Sequence, residues 1–248
     1  MHELVMDEKS WAEHMLNGYW LGNKPSETLW RVGRYFYSMG MTQDEIVERL
    51  REFIRRCDPT IKVAQWDEMI RSIAAKAHKY PLVTVRGVSI SESEIEAIGA
   101  LDGWMIKRVM FAILCLAKYH NEINPDNNNW ANQDQKTIFA LANVQVTVRR
   151  QALIINDLWQ RGYIGYGKRV DNVNIRVNIV DDTSPTEIFV TDMRDLGNQY
   201  MAHFGKKFIF CHVCGRMTKQ RSNGQKFCPA CSNEMKKNRK ILYAQAPA

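Results

Sequence analysis

Residues 135–180 read QKTIFALANVQVTVRRQALIINDLWQRGYIGYGKRVDNVNIRVNIV, and the fold turns on how this run divides. It separates into a short helix, a turn, a longer helix, a glycine-containing stop and two alternating strands. Asn143 suits the tight turn, and Ala140 is small where two helices are expected to approach closely. In the longer helix Val148, Ala152, Ile155 and Leu158 recur at i, i+4, i+7 and i+10, so they are expected to face the core together. Gly162 ends that helix, and Tyr163 and Ile164 open a strand. Lys168 and Arg169 stand near the hairpin tip, and Val173, Ile175, Val177 and Ile179 alternate on the return strand. Helix, turn, helix and hairpin in this order make a winged helix-turn-helix, expected over residues 90–182. Arg149, Arg150 and Asn156 fall off the apolar stripe, where a recognition helix meets a major groove, and Lys168 and Arg169 take the wing position.

Downstream, Cys211-x2-Cys214 and Cys228-x2-Cys231 are separated by thirteen residues. Two such pairs supply four thiolates for one tetrahedral Zn2+, with a hairpin between them bringing the pairs together. The loop is slightly shorter than the usual spacing, which predicts a compact zinc ribbon. Gly215 after the first pair and Pro229 inside the second suit tight turns. A four-thiolate site is saturated, so the metal is expected to fold the segment and not to activate water. Two disulfides or a redox dithiol are the competing readings, and neither a secretory signal nor a thioredoxin-like βαβ pattern supports them. His212, inside the first pair, is expected to be a bystander.

The charge of this segment points further. Lys206, Lys207, Arg216, Lys219, Arg221, Lys226, Lys236, Lys237, Arg239 and Lys240 face a single acid, Glu234, between positions 206 and 240. The whole chain holds 34 basic and 27 acidic residues, so 24 and 26 remain elsewhere, a balance of −2 against +9 here. A small metal-stapled unit with that charge suits a polyanion, nucleic acid first. A solvated face that merely keeps the unit soluble is the bland alternative.

Upstream, Ser26 to Ala77 reads as three helices. Trp30, Gly33, Phe36 and Tyr37 form a stripe, and Gly40 offers a stop. Thr42-x-x-Glu45 is a capping box for a helix whose Ile46, Leu50, Phe53 and Ile54 share a face. Trp66, Met69, Ile70, Ile73, Ala74 and Ala77 continue the pattern. Between this bundle and the central run, "YPLVTVRGVSI" reads as a linker or short strand, Ser91-x-x-Glu94 caps a short helix ending near Gly99, and a long apolar helix follows from about Trp104 to Tyr119. The whole is mainly α with small β: a helical bundle over 1–80, the winged helix-turn-helix over 90–182, a connecting segment over 183–205 and a basic zinc ribbon over 206–243.

Of 248 residues, 45% are hydrophobic and 25% charged, as in a globular chain that folds in water. The longest apolar run, Val109 to Ala117, is too short to cross a bilayer. The acidic start of the chain lacks the architecture of a secretory signal, so a reducing cytoplasm is the expected setting. Cys57 and Cys115 are then expected to be buried single thiols. No Walker-type loop, paired histidines or serine nucleophile motif is present, and the adjacent Asp181 and Asp182 at a strand end point in opposite directions. No catalytic residue is therefore expected.

"YSMGMTQDEIVERL" followed by "WDEMIRSIAAKA" resembles the small helical domain at the C-terminus of some phage and plasmid primases, a likeness of about fifty residues with no catalytic motif in it. From Ile90 to Cys231, "ISESEIEAIGALDGWMIKRVMFAILCLAKYHNE", "IFALANV", "ALIINDLWQRGYI", "VDNVNIRVNIVDD" and "TDMRDLG" ahead of the terminal cysteine pairs are similar to uncharacterised proteins of phages and mobile elements of Gram-positive bacteria. That resemblance implies a bacterial host cytoplasm as the setting and no reaction. Three functions follow as expectations. The first is a non-enzymatic DNA-binding regulator, with the winged helix reading duplex DNA and the zinc ribbon adding phosphate contacts. The second is a replication accessory whose helical bundle docks a helicase or primase. A nuclease or recombinase comes third. Duplex is preferred over single-stranded DNA as the partner, and a homodimer on two half-sites stays open although no coiled-coil heptad is present.

Overall fold

The computed structural model describes residues 4–22, 24–167 and 174–245, with side chains to residue 237. Among the described residues the protein is mainly helical, with three small antiparallel sheets and a C-terminal cluster of four cysteines. It divides into two compact units, Val5–Arg86 and the chain from Gly87 onward.

The first unit contains α1 (Glu8–Gly18), α2 (Pro25–Ser38), α3 (Gln43–Cys57) and α4 (Asp67–Lys76). Three of these were expected and α1 was not. Asp7 caps α1, its carboxylate accepting from the Lys9 and Ser10 N–H groups. Thr42 and Glu45 close the expected capping box at the start of α3. Leu29, Val32, Ile46, Leu50, Ile54 and Ile70 fill the core. Gly33 decides how closely α2 and α4 approach, because a Cβ there would stand 2.6 Å from Ile73 Cγ2. Tyr37, expected in the core stripe, is exposed, Phe36 being the last buried residue of α2. Buried Glu8 ties the unit together: its carboxylate accepts from Arg31, from Arg34 and from the Val83 N–H.

In the second unit β1 (Val88–Ser91) leads into α5 (Glu92–Gly99), whose Ser91–Glu94 capping box is in place. Next come α6 (Trp104–Ile123), α7 (Gln135–Leu141), α8 (Val148–Gln160), β2 (Ile164–Tyr166) and β3 (Ile175–Val177). Residues 183–205, expected only to connect, hold β4 (Thr186–Val190) and α9 (Leu196–His203). β4 pairs antiparallel with β1, Val88 opposite Val190 and Ile90 opposite Ile188. α6 is buried on nearly every side from Val109 to Tyr119 and packs against α5, α7, α8, α9, β1 and β3. A helix apolar all round needs such cover. Among the described residues no helix is long and apolar enough to cross a membrane.

From α7 to β3 the order is helix, turn, helix and antiparallel strand pair, with Ile164 opposite Val177 and Tyr166 opposite Ile175. Asn143 takes the left-handed conformation in the turn, with φ 54°. Two packing expectations fail. Ala140 is exposed, and the close approach occurs instead at Ala142, whose carbonyl lies where a Cβ of Gly197 would stand. In α8 the buried side chains are Ile154, Ile155 and Leu158, whereas Val148 and Ala152 face solvent. The expected stripe is thus covered at Ile155 and Leu158 and uncovered at Val148 and Ala152, within the first five residues of α8.

Candidate metal centre and basic surface

The last elements are β5 (Phe208–Phe210), β6 (Met217–Lys219) and α10 (Pro229–Gln245). Cys211 and Cys214 occupy the turn between β5 and β6, and Cys228 and Cys231 lie at the start of α10. The expected hairpin between the two pairs is therefore replaced. The first pair is the hairpin turn and the second is a helix N-terminus. That arrangement follows from local chemistry: Pro229 is suited to a first helical position, and Gly215 carries φ 68° after the first pair.

All four sulfurs lie within 4.8 Å of one another, and none forms a disulfide. The Sγ atoms of Cys214 and Cys228 are 3.8 Å apart. A tetrahedron with metal–sulfur bonds of about 2.3 Å has edges of roughly 3.8 Å, so the cluster fits one ion of that size and preference. Backbone groups support the thiolates. The Cys231 N–H donates to Cys228 Sγ at 3.4 Å, and the α10 dipole places partial positive charge beside the second pair. At Cys211 burial opposes ionisation, but N–H groups of Cys214, Cys228 and Val213 outweigh it and bring the thiol down to about 6. At Cys231 the neighbouring Cys228 and Cys214 sulfurs, with burial, push the thiol well above its ordinary range. Four thiols this close share negative charge poorly, and a bound dication relieves that. His212 is exposed, its ring 6.1 Å from Phe227, and it lies outside the cluster.

The module is tied to the neighbouring helices by polar contacts that the sequence did not announce. Asp195 is 4% exposed and takes a left-handed conformation before α9. Its carboxylate accepts from Asn143 Nδ2 at 3.0 Å and from Arg216 Nη2 and Nε at 2.7 and 3.1 Å. Asn143 Oδ1 accepts from the Asn198 N–H, and Asn198 Nδ2 donates to the Met217 carbonyl. Arg194 donates to the Cys214 carbonyl. Thus the turn between α7 and α8, the start of α9 and the cysteine module share one network.

Arg216 is therefore committed to Asp195. Lys219, Arg221, Lys226, Lys236 and Lys237 are exposed and have no ion-pair partner among the described residues. Arg149 and Arg150 are exposed in the first turn of α8, which Thr147 caps through the Arg150 N–H, and Asn156 is half-buried further along. Lys168 and Arg169 lie outside the described residues, as do the side chains of Arg239 and Lys240. Beside Arg149 and Arg150, Val148 is 76% and Leu153 51% exposed, and Trp159 stands 5.9 Å from Tyr166 of the hairpin.

Asp181 and Asp182 have local employment. Ser184, Ser93 and Thr183 hydroxyls bond the Asp181 carboxylate and hold it far below the usual carboxylate range. Asp182 pairs with Lys118, which also binds the buried Glu94. Cys115 is buried, and burial pushes the half-buried Cys57 thiol up to about 11. No family model, no curated protein and no solved structure matches this chain.

Proposed function

We propose that the protein is a non-enzymatic DNA-binding protein in which the C-terminal module holds one structural Zn2+ and meets phosphates. The α7–α8–hairpin unit acts as a winged helix-turn-helix on duplex DNA. The observation that carries this reading is the set of exposed, unpaired cations on the module: Lys219, Arg221, Lys226, Lys236 and Lys237. In a structure where so many other basic side chains find acids, unpaired cations gathered on one small unit supply an attractive field for a polyanion. Zinc suits four thiolates closed to further ligands, and such a site stabilises the fold. The shared network from Asn143 to Arg216 supports a joint action, because it ties the turn before α8 to the module. Gene regulation is the role this arrangement serves most simply, with Arg149 and Arg150 reading base edges.

The exposed Val148 and Leu153, with Trp159 beside Tyr166, favour a second reading in which α8 docks a protein such as a replication enzyme. Salt-dependent duplex binding tests the first. Replacing Lys219, Arg221, Lys226, Lys236 and Lys237 together by Gln is expected to weaken binding to every duplex and to lower the log–log salt slope by about 0.9 for each phosphate no longer neutralised. An unchanged slope would assign the cations to another partner.

A further inference from the structure

We infer that the β5–β6 face of the cysteine module binds single-stranded nucleic acid, with Phe210 stacking on an unpaired base. The inference rests on the nucleic-acid reading of the module and specifies the form of strand that it takes.

The register places Phe208 opposite Lys219 and Phe210 opposite Met217, so these four side chains share one face of the ribbon. Phe210 is 65% exposed, and Lys219 on the same face is exposed and has no ion-pair partner among the described residues. A second aromatic–cation station lies where the chain enters the ribbon. Trp104 and Phe204, 42% and 41% exposed, stand with ring centroids 5.8 Å apart. The Lys107 and Lys206 ammonium groups are 5.7 and 5.6 Å from the Trp104 ring, Lys107 also donating to the Gly99 carbonyl at 2.7 Å. Lys206 is only two residues ahead of Phe208, so chain continuity joins the two stations.

Phosphate contacts alone need cations and no rings. In a duplex the base faces are stacked inward, and an aromatic side chain outside the backbone has no face to meet. An unpaired base offers its π-face, and rings interleaved with cations then bind base and phosphate together, largely without regard to sequence. Exposed aromatic rings beside cations such as Lys206 and Lys219 therefore fit a single strand better than a duplex. DNA and RNA share this chemistry.

Fluorescence anisotropy of the full chain tests the inference, using oligothymidine and oligouridine of about 20 nucleotides, longer than one such site, and a hairpin duplex. Phe210→Ala is expected to weaken single-strand binding by about five- to 150-fold while duplex binding stays as in the parent. Phe210→Leu separates stacking from packing: it should fall as Ala does, whereas Phe210→Trp should retain binding. Zinc content and melting temperature of each variant show that the module is intact. Equal loss on duplex and single strand, or Leu binding like Phe, would overturn the inference, as would a parent that binds only duplex. A parent that binds no oligonucleotide would remove the nucleic-acid reading itself. The relative affinity for oligothymidine and oligouridine assigns the strand as DNA or RNA.

Discussion

Arg216 shows at the residue scale how a basic run misleads when it is only counted. Its guanidinium is held by a carboxylate that is 4% exposed, and that same carboxylate accepts from Asn143. Arg216→Ala leaves Asp195 with a buried charge and one fewer charged partner, so it should cost about 1–3 kcal/mol of stability. Urea denaturation measures this, and a variant as stable as the parent would mean that the pair is incidental. Arg149 and Arg150 belong to the other class, exposed and free of core duties. Alanine at both should leave the melting curve unchanged and relax sequence preference, each guanine pairing removed taking away roughly 1–3 kcal/mol of discrimination. Gel-shift competition between selected and scrambled duplexes decides it. A double variant that discriminates as well as the parent would turn α8 into a docking helix, the role that the exposed Val148 and Leu153 favour.

Two elements set the position of the site. α9 approaches the turn after α7 so closely that a Cβ on Gly197 would stand 1.8 Å from the Ala142 carbonyl oxygen. Backbone cannot yield as a long side chain does, so Gly197→Ala should cost about 3 kcal/mol, at the upper end of overpacking penalties. Thermal melting checks this, and an unaltered midpoint would contradict the packing. The module of β5, β6 and the start of α10 has a core of little besides Cys211, Cys214, Cys228, Cys231 and Phe227. So small an apolar cluster cannot hold the chain alone. One equivalent of zinc is expected by elemental analysis, and its removal by a chelator should unfold this module while the helices from α5 to α8 keep their structure. Hydrogen exchange resolved along the chain reads the outcome: a loss of protection between residues 207 and 237 alone supports it, and unchanged protection refutes it.

For the molecule as a whole, charge and core are distributed differently. The first unit carries a closed apolar core running from Ala12 to Ala77, with Leu82 packed against it, all inside Val5–Arg86. Its buried Glu8 binds Arg31, Arg34 and the Val83 N–H, again inside those bounds. A fragment of residues 5–86 should therefore fold alone and melt cooperatively, as followed by circular dichroism. A featureless melt would mean that its stability depends on the rest of the chain. The basic excess instead lies wholly between positions 206 and 240, the remainder being near neutral at −2. Salt sensitivity of any polyanion binding should accordingly follow the module and not the helical units.

The sequence determined what short-range chemistry fixes. The capping boxes at Thr42–Glu45 and Ser91–Glu94, the left-handed Asn143 and the four-cysteine set each depend on residues only a few positions apart, or on a ligand chemistry with one common solution. Helix α1 is equally legible in its Asp7 cap, although apolar periodicity alone does not mark it. Tertiary structure alone decided the rest. How much of the α8 stripe is covered depends on its neighbours: Ile155 and Leu158 are buried, whereas Val148 and Ala152, nearer the start, go uncovered. The pairing of β1 with β4 joins residues about a hundred positions apart, and Gly197 meets Ala142 across 55. Arg216 finds Asp195 across 21 positions, so the same basic residue that composition assigns to a ligand becomes a strut of the fold. Local propensity carries no record of distant partners, and burial, which selects among equal local choices, exists only once those partners meet.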